Sequence, residues 1–167
     1  MSLNSTKTLT LMGLLTALEI VLSRFLSISA WNTKIGFAFI PVVAAAMLLG
    51  PYRAGIIAAL ADFLGAVLFP IGAYFPGFTL TAFFMGLIYG LFLYKEQSFL
   101  RIVLAVAAHQ LLLSLLLNTL WISVLYGSPY GPLLLTRLPQ CGILAAVQLA
   151  IIPLIARALP MLRKAAS

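Results

Sequence analysis

Six long apolar runs, separated only by short turns, occupy nearly the whole chain and constrain it more than any other feature. A helix rises about 1.5 Å per residue, so about 20 apolar residues cross a hydrocarbon layer of about 30 Å, with a working range of about 17 to 25. The runs lie at about 8–28, 37–50, 53–69, 78–94, 99–126 and 132–159, the second being short. Gly50-Pro51, the stretch from Pro70 to Gly77, Lys95-Glu96-Gln97-Ser98 and the stretch from Gly127 to Pro132 break them. Gly and Pro bend the chain or withhold an N–H, which is why they punctuate. Backbone polar groups in lipid must be paired within their own element, and no ten-residue alternation of a barrel strand is present. The expectation is an all-α fold: one polytopic membrane domain over 1–167, a bundle of six transmembrane helices.

Composition agrees. The chain is 63% hydrophobic and 8% charged, whereas about a quarter of the residues of a soluble domain carry charge. The first run is too long for a secretory h-region and carries Glu19 and Arg24, so it is expected to remain in the mature protein.

Lys and Arg number 10 against 3 Asp and Glu. A nucleic-acid site would cluster those cations on one patch, but only Arg163 and Lys164 are adjacent, so no nucleic-acid partner is expected. Basic residues at span ends set membrane orientation instead. Lys7, Arg53, Lys95, Arg101, Arg157, Arg163 and Lys164, seven in all, fall on one side, and Arg24, Lys34 and Arg137 lie toward the other. Both termini are therefore expected in the cytoplasm, with 28–36, 70–77 and 127–132 facing outward. Cys141 and His109 are single, and three carboxylates do not make a convincing metal cluster, so neither a disulfide nor a metal site is expected. No phosphate loop, Gly-x-Ser-x-Gly elbow or His-Glu-x-x-His pair is present. On an ideal α-helix His109 and Ser114 face different ways, against a membrane hydrolase. A binding or transport subunit fits better than an enzyme.

An ionisable side chain inside a span costs about 2.5 to 3.5 kcal/mol on insertion scales and requires a partner or a cavity. Asp62, eight residues before Pro70, is about 12 Å below the outer end of its helix. It either neutralises an intramembrane Arg or accepts paired hydrogen bonds from a ligand edge. Arg24, Lys34 and Arg137 either snorkel outward or form an electropositive vestibule for a carboxylate-bearing ligand. Gln110, Ser114, Asn118 and Trp121 fall within about 80° on an ideal helix, a stripe for interhelical bonds or for gripping a flat heterocycle. Arg137, Cys141 and Gln148 share a face of the sixth span. Tyr74 and Phe75 suit an interfacial belt or a lid. Gly13-xxx-Ala17, Ala54-xxx-Ala58 and Ala61-xxx-Gly65 are small-residue pairs that let helices approach closely, inside the bundle or against a partner.

Four stretches carry a resemblance. They are Gly13-Leu-Leu-Thr-Ala17 with Ser23-Arg24-Phe25-Leu26-Ser27, the run from Lys34 to Pro41, the run from Leu60 through Asp62 and Pro70 to Ala82, and Leu117-Asn118-Thr-Leu-Trp121 on to Gly127. Together they resemble the substrate-binding S components of energy-coupling-factor vitamin transporters, in particular the folate-specific branch. Gly13 stands where that motif commonly has Ala. The resemblance implies a multi-pass protein of a prokaryotic cell membrane that binds folate from outside, needs no cofactor, and works with a transmembrane coupling subunit and two ATPases. It implies that Gly13 and Ala17 touch the coupling subunit. It implies too that the loops around Lys34 and Tyr74-Phe75 close over the ligand. A flat pterin with adjacent N–H donors suits Asp62, Asn118 and Trp121, and a dianionic glutamate tail suits Arg24, Lys34 or Arg137. The alternatives are an S component for another vitamin, or a membrane enzyme or scaffold. Gly13, Ala17 and Arg24 lie within about 40° on an ideal helix, so Arg24 reaches a pocket only by its long side chain or a bend.

Overall fold

The computed structural model describes residues 5–30 and 33–166; the side chains of 5, 28–30, 33–35 and 162–166 lie outside the described set. The fold is helical, in the order α1 (Ser5–Arg24), α2 (Phe39–Leu49), α3 (Pro51–Leu68), α4 (Pro76–Leu93), α5 (Phe99–Tyr126) and α6 (Tyr130–Ala166). Five of these, all but α2, are long and apolar enough to cross a membrane.

The second run is where the sequence reading needs correction. α2 has 11 residues, a rise of about 16 Å, too little to span alone. It is instead the centre of the bundle, packed on α1, α3, α4 and α6, with Val42, Val43, Ala45, Ala46 and Met47 fully buried. It is preceded by a two-stranded antiparallel hairpin, β1 (Ser27–Ala30) on β2 (Thr33–Gly36), with Ser27 opposite Gly36 and Ser29 opposite Lys34. The first run therefore stops being helical at Arg24, short of 28, and a short hairpin joins an otherwise helical fold. The alternation Ser27-Ile28-Ser29 is the period-2 pattern of a strand, though too short to stand out beside helical runs.

The sixth run is longer than the expected 132–159: α6 has 37 residues and carries Pro139, Pro153 and Pro160 without ending. Membrane helices tolerate such prolines where neighbours re-satisfy the freed carbonyls. α5 is continuous, but its middle, Ala108–Leu117, winds with i→i+5 hydrogen bonds, and the Asn118 N–H still bonds the Leu113 carbonyl. Such π segments are rare and gather at functional sites.

Close helix contact rests on small residues, as lipid supplies no hydrophobic drive between helices. Ala54, Ala58 and Ala61 of α3 are buried. On α4, Gly86 lies against the Ala54 backbone and Gly90 against Pro51, so close that a Cβ at either would overlap backbone atoms. The small pairs of α3 are thus internal packing. Gly13 and Ala17 are exposed, and a Cβ on Gly13 would meet nothing within 4 Å.

Gly86→Ala is accordingly expected to destabilise the detergent-solubilised protein by about 1–3 kcal/mol through overpacking, read as a lowered thermal midpoint. Gly142→Ala, whose added Cβ meets nothing within 4 Å among the described residues, should leave the midpoint unchanged or raise it, since Gly in a helix interior costs about 0.5–1 kcal/mol relative to Ala.

Candidate functional site

A cavity of about 640 Å³ lies among α1, α3, α4, α5 and α6 with the hairpin at its edge, a size within the usual ligand-pocket range of about 300–1,000 Å³. Five of the site residues expected from the sequence line it: Arg24, Asp62, Tyr74, Asn118 and Arg137.

Arg24 is the last residue of α1 and leans across α3. Its Nη2 donates to the Asp62 carbonyl at 3.2 Å and lies 3.8 Å from Asp62 Oδ1. This crossing depends on Gly65, where a Cβ would come within 2.7 Å of Arg24 Nε. The long side chain thus lets Arg24 face the cavity while Gly13 and Ala17 face outward. Asp62 does neutralise an intramembrane Arg, yet its side chain keeps 27% exposure against 11% for Arg24. Its Oδ2 accepts from Thr79 Oγ1 at 2.8 Å. Since that hydroxyl spends its proton on Asp62, the Tyr74 hydroxyl, 3.1 Å from Thr79 Oγ1, is the donor to it. The relay Tyr74→Thr79→Asp62 pins the carboxylate, and Asp62 retains acceptor capacity toward the cavity.

Across the cavity, α5 presents His109, Ser114, Asn118, Ile122 and Tyr126. Here the sequence reading needs a second correction. A five-residue step separates two faces of an α-helix, but within i→i+5 winding it returns to one face, so His109 and Ser114 share the wall. Gln110 is turned into the protein interior. Asn118 keeps a buried amide oxygen with no hydrogen-bond partner among the described residues, and such groups are rare enough to point to a missing donor.

Trp121 and Phe75 stand one layer behind the wall, their rings 5.6 Å apart. Trp121 Nε1 donates at 2.9 Å to Thr81 Oγ1, itself a lining residue. Arg137, 5% exposed, reaches the Ser114 carbonyl of the π segment at 3.4 Å. On α6 its companions at the cavity are Gln140, Leu144 and Gln148, while Cys141 is turned to Ser114 Oγ at 3.5 Å. Lys34 is on β2, and its side chain lies outside the described residues.

Glu19, His109, Gln140 and Gln148 were not singled out as site residues from sequence, yet all line the cavity. A signal existed for Glu19, because an ionisable residue within a membrane helix marks function by default.

The fold and cavity define a helical membrane protein with a ligand-sized site whose wall carries several polar and charged side chains. Residues 7–156 match the family model described as "ECF transporter, substrate-specific component". The chain is 45% identical over 142 residues to the folate transporter FolT of Clostridium novyi, covering 84% of this chain and 83% of that one. It is 36% identical over 127 residues to the folate transporter FolT of Leuconostoc mesenteroides, covering 75% and 68%. The crystal structure of a FolT bound with folic acid superposes with a TM-score of 0.84 at 40% identity, covering 89% of this chain and 91% of that chain. The chain belongs to the substrate-specific components of ECF transporters, a family of membrane transport subunits rather than enzymes.

A double-mutant cycle on Arg24→Gln and Asp62→Asn should show coupling of about 1–3 kcal/mol in thermal unfolding. That is below the value for a dry buried pair because the cavity leaves Asp62 partly exposed. Additive single effects would show that the pair contributes nothing.

Proposed function

We propose that this chain is the folate-binding component of an ECF importer, capturing folate from outside and delivering it inward with a transmembrane coupling subunit and two ATPases. One observation carries the reading: a cavity of about 640 Å³ brings an acidic acceptor, Asp62, together with Arg24, Asn118 and Arg137, in a fold similar to a FolT bound with folic acid. A pterin offers adjacent N–H and amino donors to Asp62 and to the unpartnered Asn118 oxygen, and Trp121 with Phe75 backs the wall behind Thr81. The two carboxylates of the glutamate tail are matched by Arg24, Lys34 and Arg137, Arg by a bidentate fork and Lys as a point charge. Tyr74 and Phe75 belong to the segment that closes over the ligand.

The seven basic residues at one end support a cytoplasmic position for both termini, with the cavity mouth beside Arg24 and Tyr74 facing outward. Gly13 and Ala17, exposed and with nothing among the described residues within 4 Å of a Cβ built on Gly13, form the face for the coupling subunit. The chain then turns over against that partner to release the vitamin inside.

Protein purified in detergent should retain folic acid and show quenched Trp fluorescence on binding. Asp62→Ala and Arg137→Ala should each weaken binding about 10- to 100-fold, as expected for a hydrogen bond to a charged group. Retention of a different vitamin and not folate would overturn the substrate assignment. Gly13→Leu should spare binding and abolish uptake in cells carrying the ATPase module; lost binding would place Gly13 in the bundle's own packing.

A further inference from the structure

At the cavity wall formed by α4, α5 and α6, four buried or half-buried side chains make one hydrogen-bond network. Tyr89, fully buried, donates its hydroxyl proton to Gln148 Oε1 at 3.0 Å. Gln110 Nε2 donates to the same oxygen at 3.0 Å. The Tyr89 hydroxyl oxygen also lies 3.1 Å from His109 Nδ1. A phenol has one proton to give. With that proton on Gln148, the contact to His109 is a hydrogen bond only if Nδ1 carries the hydrogen. A neutral imidazole with Nδ1–H has its lone pair on Nε2, at the opposite edge of the ring.

The amide orientations decide this assignment and follow from the network. As oriented, the group left without a partner is the Gln110 carbonyl oxygen. Reversing both amides would instead strand a buried NH₂ of Gln110, and unpaired buried donors are rarer in proteins than under-used acceptors. His109 and Gln148 both line the cavity. With Gln148 Oε1 and His109 Nδ1 turned into the network, the groups left to face the cavity are the Gln148 NH₂ and His109 Nε2.

We infer that this wall is a polarised donor–acceptor pair: the Gln148 amide donates, His109 Nε2 accepts, and Tyr89 is the positioning residue that fixes the tautomer. The pair takes a heterocycle edge that carries an N–H, of a ring or of an amino group, beside a carbonyl or ring nitrogen, such as the amino hydrogen and neighbouring ring nitrogen that a pterin keeps when its ring N–H is on Asp62. A reversed edge meets donor against donor and acceptor against acceptor. The ligand part of the inference rests on the folate reading, whereas the tautomer does not.

His109 is the only histidine of the chain, so ¹⁵N-histidine labelling yields one imidazole to observe by NMR in detergent. Ligand-free protein should show Nδ1 protonated and Nε2 unprotonated. Nε2 protonated instead, or both nitrogens protonated at neutral pH, overturns the inference. Tyr89→Phe, which keeps the ring and removes the hydroxyl, should release the tautomer toward Nε2–H; an unchanged spectrum also overturns it. Folic acid should move the Nε2 resonance, and Tyr89→Phe should weaken its binding about 3- to 10-fold, the worth of one neutral hydrogen bond. Folic acid that binds without moving Nε2 overturns the pair as a ligand contact. Folic acid that fails to bind overturns the folate reading, and the ligand-free spectrum still decides the tautomer.

Discussion

An ionisable side chain within a membrane-crossing helix has no polar medium at its flank, so the bundle must supply one. Glu19, Arg24, Asp62, His109 and Arg137 come from α1, α3, α5 and α6, and all five line the same cavity. The requirement to shelter charge from lipid and the requirement to bind a polar ligand are met by one arrangement. The outer surface is left to residues such as Leu9, Leu14, Leu91 and Leu135.

Two departures from straight α-helix make that gathering possible. α2 is short and sheathed by its neighbours, and a hairpin rather than helix lies at the cavity's edge, where Ser27 and Gly36 are part of the wall. Irregular backbone at depth is tolerated where it lines a cavity or is buried in protein. In α5 the i→i+5 segment rotates the following turns, so His109 and Ser114 meet one wall that a regular helix would divide between two. Arg137 holds the Ser114 carbonyl of this segment from α6.

Much of the site was legible from single residues. Asp62, Arg24, Asn118 and Arg137 stand out because polar groups are costly within apolar runs, and that cost does not depend on knowing their neighbours. Glu19 carried the same signal, but no partner at helical spacing drew attention to it. Gln140 and Gln148 were harder to assign, because a glutamine in a membrane helix reads equally well as a hydrogen bond between helices. Gln148 serves the network with Tyr89 and Gln110 and the cavity as well. The direction of His109 is not legible in the sequence, because α periodicity does not hold in a stretch wound i→i+5. The hairpin was hidden because four residues of alternation are a weak signal beside twenty of unbroken hydrophobicity.

The sequence by itself determined the solvent, the helical class, the approximate span ends and the excess of basic residues at one side. Those follow from transfer free energies and backbone hydrogen bonding, which are additive along the chain and need no partner. Tertiary structure decided that Arg24 crosses Gly65 to reach Asp62, that small residues of α3 face inward while Gly13 and Ala17 face outward, and that Trp121 backs the wall through Thr81. Each depends on contact between helices 20 to 60 residues apart in the chain, on the order of the loop separations over which closure entropy reveals nothing about side-chain direction. Periodicity states which residues share a face, and only packing states what that face meets.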